Sequence, residues 1–123
     1  MRRMFKRLLL LCAFLLTIPN SYAAAQHPDT LRIGTFNIQN FGKTKLSRTY
    51  VRNYLAKVVR FFDVIAVQEI SDIGGTVPGA FLETVNSEGG KFKLLLGERS
   101  GQEDDDKSCQ EQYAFYYNAN RFE

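Results

Sequence analysis

The sequence predicts an α/β fold, and three observations carry that expectation. Two short apolar runs, Leu31–Asn37 and Val64–Val67, have the character of strands, and each ends on polar side chains: Asn37 in the first, Gln68 and Glu69 after the second. Between them lies one amphipathic helix, with Val51, Tyr54, Leu55, Val58, Val59 and Phe62 at the spacing of a single apolar stripe. A strand–helix–strand passage of this length permits parallel pairing. Such crossovers are right-handed and bring both strands to an end at the same sheet edge. Asn37 and Glu69 are therefore expected beside each other.

The elements follow in chain order. Leu31, Ile33 and Thr35 alternate with Arg32, Gly34 and Phe36, the period of a strand. Gly34 leaves room for a bulky neighbour to approach. Residues 40–45 read as a loop, and Ser47 or Thr44 is expected to cap the helix that follows. Arg48, Arg52, Lys57 and Arg60 lie off its stripe and are expected to form a solvated face. Val64–Val67 is continuously apolar, as in a strand buried on both faces. Ser71–Gly79 reads as loop, Ala80–Asn86 as a second helix with Phe81, Leu82 and Val85 inward, and Phe92–Leu96 as a third strand. A polar loop over Gly97–Gln110 leads to a fourth strand, Tyr113–Tyr117, antiparallel to the third, with a turn at Asn118–Asn120.

The first 25 residues stand apart. Arg2, Arg3, Lys6 and Arg7 precede an apolar stretch of 11 residues, Leu8–Ile18, and small residues follow at Ala23–Ala25. This is the pattern of a signal peptide, and the apolar stretch is too short to span a bilayer. The expected organisation is a signal peptide at 1–25 and one domain at 26–123, exported to the periplasm or secreted, without stable membrane association after cleavage. The chain carries +3 overall. Residues 1–25 hold four of its 16 basic and none of its 13 acidic residues, which leaves 12 against 13, or −1, for the rest. The basic balance of the whole is thus no argument for nucleic-acid binding. Cys12 falls in the signal peptide, so Cys109 is a lone exported cysteine: an intermolecular bond, a free thiol, or a pair with a partner outside this chain.

Candidate chemistry centres on three residues. Glu69 follows four buried apolar residues, where a carboxylate needs water, a partner or a metal; an ordinary charged strand end is the competing reading. Asn37 can cap a turn or join Glu69. Two oxygen donors at one sheet edge suit a hard cation, Mg²⁺, Mn²⁺ or Ca²⁺, and not zinc. Glu111, just before the fourth strand and on the face of Tyr113 and Phe115, reads on its own as a surface residue. The acidic run Glu103–Asp106 lacks calcium-loop spacing and reads as solvated, and His27 reads as a surface residue of the linker. There is no GxSxG elbow, P-loop or zinc signature.

Three blocks in order, FNIQNFG (Phe36–Gly42), VQEI (Val67–Ile70) and EQYAFYY (Glu111–Tyr117), resemble the N-terminal half of the deoxyribonuclease I branch of the endonuclease/exonuclease/phosphatase superfamily. The resemblance implies the N-terminal part of a four-layered α/β/β/α sandwich. It implies that Asn37 and Glu69 are metal-site residues and that Glu111 orients a catalytic histidine. It further implies divalent-metal-dependent hydrolysis of DNA or another phosphodiester. The superfamily's GDFN and SDH motifs and its catalytic histidines are not in these 123 residues. The chain by itself is therefore expected to be inactive, with one sheet face uncovered and apolar. At two positions that contact DNA in the branch this chain differs: Ser71 replaces an arginine and Cys109 a tyrosine. A phosphatase or phospholipase of the same superfamily, and a non-catalytic exported module or truncated remnant, are the competing readings.

Overall fold

A computed structural model describes residues 29–101 and 110–122. The expected signal peptide, His27, the acidic run Glu103–Asp106 and Cys109 lie outside the described residues. Within them the order is β1 (Ile33–Asn37), α1 (Lys43–Ser47), α2 (Thr49–Phe61), β2 (Val64–Ile70), α3 (Val77–Asn86), β3 (Phe92–Leu96) and β4 (Gln112–Asn118). The class is α/β: one four-stranded mixed sheet, order β1-β2-β4-β3, with helices packed on it. β1 and β2 pair in parallel, with Asn37 opposite Gln68. β4 is antiparallel to both β2 and β3, so it lies inside the sheet and not only beside the third strand.

The buried face of the sheet comes from alternate residues. Ile65 and Val67 of β2 and Ala114 and Tyr116 of β4 are fully buried, together with Phe41, Val59, Val77, Phe81 and Val85. Phe81 is the hub: its ring meets Phe41 at 5.0 Å and Tyr116 at 5.4 Å, both edge to face. The Tyr116 hydroxyl donates to the Pro78 carbonyl at 3.0 Å, which satisfies the one polar atom this ring carries inside. The opposite face is open. Ile33, Leu95, Tyr113 and Phe115 on it are all exposed, and Val64 and Ala66 are half-buried. The expectation that β2 is buried on both faces is corrected: one side of the strand faces the helices, the other the open face.

Helix α2 buries Leu55, Ala56 and Val59. The stripe is thus rotated from the expected one: Ala56 is small enough to sit against the sheet, and Tyr54 turns outward. No side chain caps α2 at Arg48. Ser47 instead donates from Oγ to the Thr44 carbonyl at 2.9 Å and closes α1, a short helix in the stretch expected as loop. Gly34 behaves as expected, since a Cβ there would lie 2.6 Å from the Phe62 ring. Two of the four cations expected in solvent are engaged. Arg60 donates to the Val85 and Thr84 carbonyls and pairs with Glu88 at 2.9 Å, covering the C-terminal end of α3. Arg52 donates to the Leu46 carbonyl.

Helix α3 starts at Val77, earlier than expected, because Pro78 suits a first turn and Asp72 supplies the acceptors its N–H groups need. No helix among the described residues is long and apolar enough to cross a membrane.

Candidate active-site edge

Parallel pairing carries Asn37 and Glu69 to the same end of the sheet, and a β-bulge completes their meeting. Val67 pairs with Ala114 and Ile70 with Gln112, so β2 spends one residue more than β4 between these pairs. The extra residue falls at Glu69, which sits in the left-handed region at φ 60°. Bulges re-aim a side chain. Here the carboxylate turns to the loop after β1: Asn37 Nδ2 donates to Glu69 Oε1, and the Asn40 backbone N–H donates to Oε2 at 3.1 Å. The main chains are tied as well, by Phe41 N to the Glu69 carbonyl at 2.8 Å and Ser71 N to the Phe41 carbonyl at 3.3 Å.

Gln39 and Asn40 are left-handed too, at φ 50° and 52°. The described non-glycine residues with positive φ are therefore Gln39, Asn40 and Glu69, all at this one edge. Such conformations cost roughly 1–3 kcal/mol each and gather at functional sites. Two devices hold them. Gln39 N donates to Asn37 Oδ1 at 2.8 Å, an Asx turn. Lys45, from α1, donates to the Ile38 carbonyl at 2.7 Å and to the Gln39 carbonyl. The sequence carries no signal for the roles of Asn40 and Lys45, because a backbone N–H and a short helix leave no periodic pattern.

Glu111 stands on the same edge but not in the same contact. It exchanges two backbone hydrogen bonds with Ser100, just outside the Gln112–Ile70 pair. Among the described residues no hydrogen bond links its side chain to Asn37 or Glu69. No cluster of three or more His, Cys, Asp or Glu able to hold a metal occurs among the described residues. The donors at the edge are one carboxylate and one amide oxygen. Each Glu69 oxygen accepts a single hydrogen bond and keeps lone pairs, as does Asn37 Oδ1. This oxygen set fits a hard cation of the Mg²⁺ type, which retains waters and takes one or two protein carboxylates.

A mixed sheet whose β1 and β2 ends meet through an Asn–Glu contact defines an α/β protein with its polar centre on a strand edge. Similarity to known proteins then makes the class specific. The chain is 34% identical over 108 residues to deoxyribonuclease-1 of Rattus norvegicus, covering 87% of this chain and 36% of that protein. The figures are 34% over 104 residues for the Mus musculus protein and 31% over 96 for the Homo sapiens one, covering 84% and 77% of this chain. No family model matches. This homology supports a deoxyribonuclease I-like, endonuclease/exonuclease/phosphatase-type N-terminal portion. It spans about a third of the length of these relatives.

Proposed function

We propose that this chain is the metal-holding portion of an exported, divalent-cation-dependent nuclease that hydrolyses phosphodiester bonds in DNA. The observation that carries the reading is the Asn37–Glu69–Asn40 clamp, built on the bulge at Glu69 and held in left-handed backbone. DNA as substrate comes from the relatives, each a deoxyribonuclease by name; export comes from the pattern of residues 1–25.

In this reading Glu69 and Asn37 would hold Mg²⁺, with Mn²⁺ or Ca²⁺ as the other oxygen-seeking candidates. The cation, once bound, supplies Lewis-acid stabilisation of negative charge on a phosphate oxygen. Glu69 is the only charged donor of the pair. Asn37 fixes the rotamer of that carboxylate by donating to one oxygen, and Asn40 fixes it by donating to the other. Glu111 serves to orient a histidine that these residues do not include. Without a histidine general acid or base the chain alone leaves DNA uncut.

The test is Mn²⁺ binding to the chain, read as loss of the free-ion EPR signal, together with plasmid nicking in Mg²⁺. The expected result is saturable binding that Glu69→Gln abolishes and Asn37→Ala weakens, with intact plasmid throughout. Absent binding, or binding indifferent to Glu69→Gln, overturns the metal reading. Plasmid cleavage abolished by Glu69→Ala overturns the assignment of the chain as catalytically incomplete.

A further inference from the structure

The outward face of α2 carries a feature the strand edge does not explain. Tyr50 is 84% exposed, Tyr54 61% and Phe61 58%. With Lys57, also exposed, they recur at i, i+4, i+7 and i+11. At 3.6 residues per turn these four positions lie within an arc of about 60°. That arc is opposite the buried Leu55, Ala56 and Val59. The stripe is about 16 Å long at the helical rise per residue. Single exposed aromatics need no explanation; three in line along one helix do. The Arg32 guanidinium lies 4.6 Å from the centroid of the Phe61 ring, which places a second cation at its end.

We infer that this face is an accessory binding site for a strand of nucleic acid, with bases stacked on Tyr50, Tyr54 and Phe61 and phosphates met by Lys57 and Arg32. The inference does not rest on the cation reading of Asn37 and Glu69. Charge selects the occupant. From Lys43 to Phe61 the sequence has six Lys and Arg residues and no Asp or Glu. Three of the six are engaged elsewhere, Lys45 at the strand edge, Arg52 at the Leu46 carbonyl and Arg60 at the end of α3, so Lys57 within the stripe and Arg32 at its end are the cations this face presents. A second copy of the chain would set Lys57 and Arg32 against like charges, with no acid on α2 to answer them. An interfacial helix buries a broad, continuous apolar face of Trp, Phe and Leu, whereas here Leu55 and Val59 are inside and the exposed Asn53 and Lys57 interrupt the outward rings. Ring faces beside cations are the elements that hold single strands without regard to sequence.

The test is fluorescence anisotropy of a labelled dT12 strand with the full chain in EDTA, which removes divalent cations and isolates this face from the strand edge. The expected result is saturable binding that weakens steeply as salt rises. Tyr50→Ser and Tyr54→Ser each lower affinity about tenfold, Tyr54→Phe keeps it, and Lys57→Glu lowers it. Unchanged far-UV circular dichroism shows that each variant is folded. Wild-type chain that fails to bind dT12, serine variants that bind as well as wild type, or binding to phosphatidylserine vesicles in place of dT12 overturns the inference.

Discussion

Replacing Asp72 by alanine should open the N-terminal turn of α3 while leaving the sheet in place. Asp72 is 5% exposed. Its Oδ2 accepts from Thr76 N at 2.6 Å, Val77 N at 2.8 Å and Thr76 Oγ1 at 3.2 Å, and its Oδ1 accepts from Gly74 N at 3.3 Å. The N-cap residue itself, Thr76, makes no capping bond, so Asp72 is the acceptor for these first N–H groups. Loss of a cap costs about 0.5–2 kcal/mol, and hydrogen bonds to a charged group about 1.5–3 kcal/mol. These terms overlap, and a local cost of about 2–3 kcal/mol is the reasonable sum. In amide exchange that is a loss of protection of about 30- to 150-fold at Ala80, Phe81 and Leu82. The pH dependence has a definite sign. Burial pushes the carboxyl up, but the bonds from Val77, Thr76 and Gly74 outweigh it and hold it below its ordinary value of 3.8. A carboxyl lowered by folding stabilises fully above its unfolded value, and that contribution is lost as pH falls through the folded one. The protection advantage of wild type over Asp72→Asn should therefore be constant down to about pH 4 and shrink below it. Exchange within twofold of wild type in Asp72→Ala, or an advantage that does not shrink in acid, would refute the capping argument.

Two further outcomes follow from close contacts. Gly34→Ala should lower the urea midpoint by an amount equivalent to about 1–2 kcal/mol, because its Cβ would lie 2.6 Å from Phe62 Cε1 and the ring must move; an unchanged midpoint would show that Phe62 yields freely. Lys45→Met should weaken Mn²⁺ binding about 5- to 30-fold by freeing the Ile38 and Gln39 carbonyls, with partial recovery in Lys45→Arg. Equal affinity in wild type and Lys45→Met would show that the loop after β1 holds its shape without the lysine.

What could be read from the sequence depended on periodicity and parallel pairing. Phe92–Leu96 is a strand with the expected bounds, and the arrival of Asn37 and Glu69 at one end of the sheet follows from the β1–β2 pairing. The boundaries that moved did so for long-range reasons. Arg32 drops out of β1 because its carbonyl accepts from Asp63 and Val64 and its N–H donates to the Asp63 carboxylate at 2.8 Å. β2 runs on to Ile70 because the bulge lets the ladder resume against Gln112. No local pattern announces that bulge, since it is the partner strand that lacks a residue. Likewise α1 is too short to show a period, and Asp72 caps α3 across a turn of Ile73, Gly74 and Gly75 instead of from the adjacent position. The clamp at the strand edge was thus legible as a juxtaposition, and its backbone strain was not.

The place of β4 in the sheet bears on how the molecule comes into being. Among the described strands, the last in the chain, β4, is the one that lies between β2 and β3. As the chain emerges residue by residue, β3 has no neighbour at all, and β2 has only β1. A lone strand cannot satisfy its backbone groups or hold a flat apolar edge in water without inviting other chains. The sheet therefore closes in a single event, when Gln112–Asn118 slots between two waiting edges. The bulge at Glu69 exists only against Ala114 and Gln112, so the polar edge takes shape with the arrival of β4 and not before.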